Sequence, residues 1–178
     1  MAMKAFIVGI DTLGLNCCYK DADLMQECLE KRGYEVIKLQ NKQEKWIILP
    51  EFDKVLDESD KVDTIIFYFS GHGIVEGGKL FLITDDANKA KNKIQIDNIT
   101  DPLQNCIAKN KLIILDCCHA GMVSAKWKPD PSEAYRILIA SNPFETTKEL
   151  DDLQASFLTL GYIRHLLPLP LKLWTAMG

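Results

Sequence analysis

Thr64-Ile65-Ile66-Phe67-Tyr68-Phe69-Ser70-Gly71-His72-Gly73 is the stretch that decides the fold. Its first six residues are β-branched or aromatic with no polar alternation, the pattern of a strand buried on both faces, and such strands belong to parallel sheets covered by helices. The strand runs directly into a Ser-Gly-His-Gly turn. A second stretch repeats the arrangement, because Lys111 to Leu115 reads as another buried strand and ends in Asp116-Cys117-Cys118-His119-Ala120-Gly121.

Outward from these two, Lys4 to Ile10 reads as a short apolar strand closed by Asp11 and Gly14 in a loop. Asp21 or Asp23 is expected to cap a helix whose Leu24, Met25, Cys28 and Leu29 share a face, with Gly33 as its left-handed stop. Tyr34 to Leu39 resumes as a strand. Trp46 to Glu58 has helical spacing, and Pro50 predicts a true start near itself. Leu80 to Thr84 reads as a strand, followed by a polar stretch with Lys89, Lys91 and Lys93 read as a solvated loop. Ile99 to Ala108 reads as a helix with Leu103, Cys106 and Ile107 inward and Pro102 in its first turn. Ser124 to Glu133, with two prolines, is a loop, and Tyr135 to Ala140 is the last clear strand. Leu153 to Leu167 is expected to be helical until Pro168 and Pro170 break it. This alternation calls for an α/β fold, a mostly parallel sheet with helices on both faces, which binds ligands beyond the carboxyl ends of its strands.

At 178 residues the chain is sized for one domain, expected over 1–167 with 168–178 left unassigned, and can bury a core without staples. With 21 Lys and Arg against 25 Asp and Glu, the net charge is -4. No basic block stands ready for a phosphate backbone, so nucleic acid is not an expected partner. Nor is a membrane, since the longest apolar run falls far short of the ~20 residues that a span needs. The expected location is cytoplasmic. The six cysteines fall as Cys17-Cys18, Cys28, Cys106 and Cys117-Cys118, and neighbouring cysteines rarely meet bridge geometry, so free thiols are expected. No C-x-x-C pair is present, and no metal ligands are assigned.

If His72 and Cys118 meet at neighbouring strand ends, the imidazole can take the thiol proton and leave a strong nucleophile for acyl transfer. The backbone N–H groups of Gly73 and Cys118 are the candidate oxyanion donors. Strand alternation turns Cys117 away when Asp116 and Cys118 face the site, so Cys118 is the better nucleophile. His119 and His165 are weaker candidates for the base. Taken singly, each cysteine is more often a small buried hydrophobe and His72 an ordinary turn residue. Two Cys- or His-bearing turns at the ends of two similar buried strands are a rarer coincidence.

At these turns the chain resembles the caspase-like cysteine peptidases of the metacaspase and paracaspase branch. Ser70-Gly71-His72-Gly73 matches the family's histidine motif and Asp116-Cys117-Cys118-His119-Ala120-Gly121 its nucleophile motif, 46 residues apart from His72 to Cys118 where ~50 are expected. Leu15-Asn16-Cys17-Cys18-Tyr19-Lys20-Asp21-Ala22 resembles a third motif, Leu-x-Gly-Cys-x-x-Asp-Ala.

The resemblance implies a caspase-like three-layer α/β/α sandwich and a cysteine-type endopeptidase with His72 and Cys118 as its dyad. It implies a first specificity pocket lined by Cys18, Asp21, Ser70 and Asp116. Two carboxylates in a narrow cleft favour a cation between them, so the expected substrates are proteins or peptides with Arg or Lys before the cut. A caspase proper selects Asp. Many metacaspases use calcium, held by aspartates after the histidine motif and on the next strand. Asp85 and Asp86 stand near the latter position, but Gly73 to Lys79 offers only Glu76, so half of a ligand set is lacking and no cofactor is assigned. Lys126 and Lys128 are candidate self-cleavage points. The alternative is a caspase-like scaffold or signalling module without turnover, and behind it a structural α/β domain with buried thiols.

Overall fold

The computed structural model describes residues 2–12, 14–40, 45–58, 64–84, 92–123, 134–139, 149–150, 155–156, 159 and 161. Strands β1 (Met3–Gly9), β2 (Glu35–Gln40), β3 (Thr64–Ser70), β7 (Asn110–Asp116) and β8 (Ala134–Ile139) form one parallel sheet in the order β2-β1-β3-β7-β8. Between β3 and β7 lie β4 (Gly73–Glu76), β5 (Lys79–Ile83) and β6 (Lys93–Gln95), an antiparallel trio outside the main sheet. A two-stranded ladder, β9 (Glu149–Leu150) with β10 (Ala155–Ser156), follows β8.

The expected α/β sandwich is the one found, with a hydrophobic cluster on each sheet face. Helix α1 (Cys18–Glu30) lays Ala22, Met25 and Leu29 on Ala5, Ile7, Ile66, Tyr68 and Ile114. Helices α2 (Lys45–Asp57) and α3 (Asp97–Asn105) cover the other face with Ile48, Phe52, Val55, Ile99 and Leu103. There Phe6, Phe52 and Phe67 meet at 5.2–6.1 Å between ring centres, a separation that favours aromatic pairing beyond the area buried. β3 is inaccessible over Ile65–Ser70, as its unbroken apolar run requires. Among the described residues no helix is long and apolar enough to cross a membrane.

Several local expectations are corrected. α1 begins at Cys18 with Asp21 and Asp23 inside it, and the carboxylate that serves its first amides is Asp11: Oδ1 accepts from the N–H of Cys18 at 2.8 Å and of Tyr19 at 3.4 Å. Gly33 does stop the helix, at φ +84. Pro50 lies inside α2, not at its start. The ring costs one helical bond to the Trp46 carbonyl, and Trp46 is exposed, so water can serve that oxygen. Pro102 likewise sits in the second turn of α3. That helix ends at Asn105, and the chain turns extended at Cys106, which swings Ile107 out to 70% exposure. Lys93 is part of a strand and pairs with Glu76. Lys89 and Lys91, the 124–133 loop and most of 153–167 lie outside the described residues. Ala155–Ser156 pairs as strand, however, so the expected helix does not cover those two residues.

Candidate active site

The strand order places β2 on one side of β1 and β3 on the other, so the connections diverge between β1 and β3, the switch point at which such sheets leave a crevice. Gly9, Ser70 and Asp116 are register partners at that edge. The ladder goes one step further, with the Ile10 N–H donating to the Ser70 carbonyl at 2.9 Å and the Gly71 N–H to the Asp116 carbonyl at 3.2 Å. Beyond it the three chains part.

After β1 the chain folds back into α1 directly over the sheet. A Cβ on Gly9 would fall 2.5 Å from the Cys18 carbonyl oxygen and 2.7 Å from the Ala22 Cβ, so only glycine allows this approach. One turn into α1, Asp21 is fully buried, and its Oδ2 accepts from the Ser70 hydroxyl at 2.9 Å and from the Cys17 thiol at 3.7 Å. Asp116, 4% exposed, accepts at Oδ2 from the Thr159 hydroxyl at 2.9 Å, and Thr159 lies 2.6 Å from the Tyr68 hydroxyl. Burial, then the charges of Asp116 and Asp21, hold the Tyr68 phenol well above its ordinary pKa.

Cys18, Asp21, Ser70 and Asp116 therefore come together at one edge, but all four are buried, at 0–4% exposure. Two cavities lie elsewhere among the described residues: one of about 80 Å³ beside Lys79, Asp97 and Met122, and a groove of about 600 Å³ between α2 and α3.

The histidine and nucleophile turns touch. A Cβ on Gly73 would lie 2.2 Å from the Cys118 carbonyl oxygen and 3.1 Å from the Cys117 Sγ. The His72 carbonyl accepts from the Ile83 N–H at 2.9 Å, which ties the turn to β5. Its Nε2 is shut off from solvent and has no hydrogen-bond partner among the described residues, an arrangement that invites a functional explanation. Cys118 is half-buried, whereas Cys117 is wholly enclosed in the apolar cluster with Phe69 and Leu115. Burial, followed by the charge of Asp116, pushes the Cys117 thiol well above its ordinary pKa. His119 takes a left-handed conformation at φ +58, and its carbonyl accepts from the Met122 N–H at 3.0 Å as the chain enters a 3-10 turn over Ala120–Val123.

None of the six cysteines forms a disulfide. Among the described residues no group of three His, Cys, Asp or Glu side chains is placed to hold a metal. Glu76, the acidic residue after the histidine motif, is paired with Lys93. Asp85, Asp86, Lys126, Lys128 and His165 lie outside the described residues. Three participants escaped the sequence: Tyr68, which reads as core; Thr159, inside a stretch read as helix; and Asp11, read as loop. None carries a motif, and only their hydrogen bonds reveal them.

Among the solved structures that this chain resembles, two caspases share this fold. Caspase-1 from Spodoptera frugiperda superposes with a TM-score of 0.72 at 15% identity, over 92% of this chain and 68% of that one. The Drosophila initiator caspase Dronc gives 0.63 at 12% identity, over 91% and 62%. Comparison with curated proteins gives no match. The model of the caspase domain, the C14 peptidases, matches residues 2–160, nearly the whole chain, and on that match the chain belongs to the caspase-domain family of cysteine peptidases.

Proposed function

We propose that the chain is a cysteine endopeptidase of the metacaspase and paracaspase branch, with His72 and Cys118 as its dyad, cutting after Arg or Lys. The observation that carries this reading is the seating of Gly73 on the Cys118 carbonyl, which holds the histidine turn against the nucleophile turn. A half-buried Cys118 and a His72 nitrogen without a partner add support. In the reaction, His72 takes the thiol proton and the sulfur attacks the scissile carbonyl carbon. The N–H groups of Gly73 and Cys118 hold the oxyanion. Collapse expels the amine, which receives the proton from His72, and water then hydrolyses the thioester. No step is routed through calcium. The preference for basic residues rests on Asp21 and Asp116, two buried carboxylates on one sheet edge that a cation would join.

A caspase-like scaffold without turnover is the second reading. The burial of Cys18, Asp21, Ser70 and Asp116 favours it. One experiment separates the two. An acyl-methylketone carrying Arg should label the wild type at Cys118 and leave Cys118→Ala unlabelled, with Arg and Lys peptides cleaved and Asp peptides spared. Absence of labelling with or without calcium would establish the scaffold instead.

A further inference from the structure

Tyr68 and Thr159 are the part of the buried polar network that the motifs do not explain. Thr159 has one hydroxyl proton and donates it to Asp116 Oδ2 at 2.9 Å, so its contact with Tyr68 at 2.6 Å must be one in which Tyr68 donates and Thr159 accepts. On the other side, Ser70 gives its proton to Asp21 Oδ2. Tyr68 thus gives its one proton to Thr159. A hydroxyl that accepts a bond becomes a better donor, so the Tyr68 proton strengthens the bond that Thr159 gives to Asp116. All five side chains are buried, and in such surroundings a missing donor is felt in full.

We propose that Tyr68 and Thr159 are positioning residues of the basic-residue pocket: by relaying one proton onto Asp116 Oδ2 they fix that carboxylate as the principal seat for the substrate's cation. The inference rests on the basic specificity proposed above and deepens it. Thr159 acts on substrate through Asp116, and Tyr68 through Thr159.

The test is steady-state cleavage of Arg and Lys peptides by wild type, Thr159→Val, Thr159→Ser, Tyr68→Phe and the Thr159→Val, Tyr68→Phe double variant. Thr159→Val keeps the shape and loses the donor, so KM for both peptides should rise about 10-fold with kcat within about twofold. Thr159→Ser should restore KM. Tyr68→Phe should raise KM by a smaller factor, and the double variant should be no worse than Thr159→Val alone. Should Thr159→Val fail to fold, Tyr68→Phe still reads the same relay. Unchanged KM, a loss confined to kcat, failure of serine to restore, or additive losses would overturn the inference while wild type still cleaves after basic residues. A wild type that cleaves neither peptide removes the basic-specificity reading, and this inference with it.

Discussion

Cys17-Cys18 and Cys117-Cys118 occupy comparable places, in the connections that follow β1 and β7 of the parallel sheet, with a glycine pressed on the carbonyl of the second cysteine: Gly9 on Cys18, Gly73 on Cys118. Their fates differ. From Cys18 onward the chain is helical, its first amides held by Asp11, and both thiols are buried, at 5% and 2% exposure. After β7 it makes an irregular turn with His119 at φ +58 and leaves Cys118 half-exposed beside the histidine turn. A left-handed non-glycine residue is locally unfavourable and is kept where the surroundings impose it. The availability of a thiol is thus set by the backbone that follows the strand, and the residue type is the same in both cases.

The sharpest way to break this comparison is to add one methyl group to each glycine. In both positions the new Cβ meets a backbone carbonyl, at 2.5 Å for Gly9 and 2.2 Å for Gly73, and neither contact yields by a side-chain rotation. Gly9 is locked between the central sheet and α1, so Gly9→Ala should cost ~3 kcal/mol, the upper end for overpacking, and lower Tm by about 6–12 °C. Gly73 opens the outer antiparallel trio, which can shift. Gly73→Ala should therefore lose less stability but slow labelling of Cys118 by about 100-fold, as a displacement near 1 Å does. Thermal melts and labelling rates on the same two variants decide it. Equal stability losses with no change in labelling would mean that the two glycines have the same purely structural role.

Both the sheet and the pairing of the turns were legible because the signals are strong ones: unbroken apolar runs at Thr64–Phe69 and Lys111–Leu115, each ending in a dense polar turn. Those runs fix strand type and burial together. The helix starts were harder. Asp21 and Asp23 look like caps because they precede an apolar face, but the donor-seeking amides are served by Asp11, seven residues ahead of Cys18, through a loop whose path no spacing rule encodes. Pro50 and Pro102 mislead for a related reason, since one lost helical bond is tolerated where the freed carbonyl is open to water. β4 and β6 are short, and they exist because each pairs with β5, so their signal lies in the partner. At the site, Asp21, Ser70 and Asp116 came from motif matches, whereas the Tyr68 and Thr159 hydroxyls beside them are visible only in three dimensions.

The two thiols of the second pair give a smaller and purely thermodynamic contrast. Cys117 is held protonated by burial and by the charge of Asp116, its pKa raised well above the ordinary 9.0. A raised native pKa means that the folded state keeps a proton which the unfolded chain releases, so the associated stability is whole below pH 9 and drains as the pH climbs from there toward the native value. Between pH 9 and 10, before the raised tyrosines Tyr68 and Tyr135 contribute, Cys117→Ala should flatten the fall of Tm with pH. The difference is at most one proton's worth, ~1.4 kcal/mol per pH unit. Melts across that window in reducing buffer measure it, and an unchanged slope would show that Cys117 ionises as freely in the native protein as in the unfolded chain.

The smallest expected effect tests the cause of the difference between the pairs. If the immediate helix is what buries Cys17 and Cys18, then weakening its first turn should uncover them. Asp11→Ala removes the acceptor for the Cys18 and Tyr19 amides at a cost of ~1 kcal/mol, or about 2–4 °C in Tm, while Asp11→Asn supplies an equivalent oxygen and should keep most of it. The consequence that matters is kinetic and local: fraying of this one turn opens Cys17 and Cys18 without global unfolding. Alkylation followed by peptide mapping should therefore show those two thiols reacting faster in Asp11→Ala, with Cys118 unchanged. Uniform acceleration of all buried thiols would instead assign the burial of the first pair to the core as a whole, since a cap that acts only on its own turn cannot loosen Cys28 or Cys117.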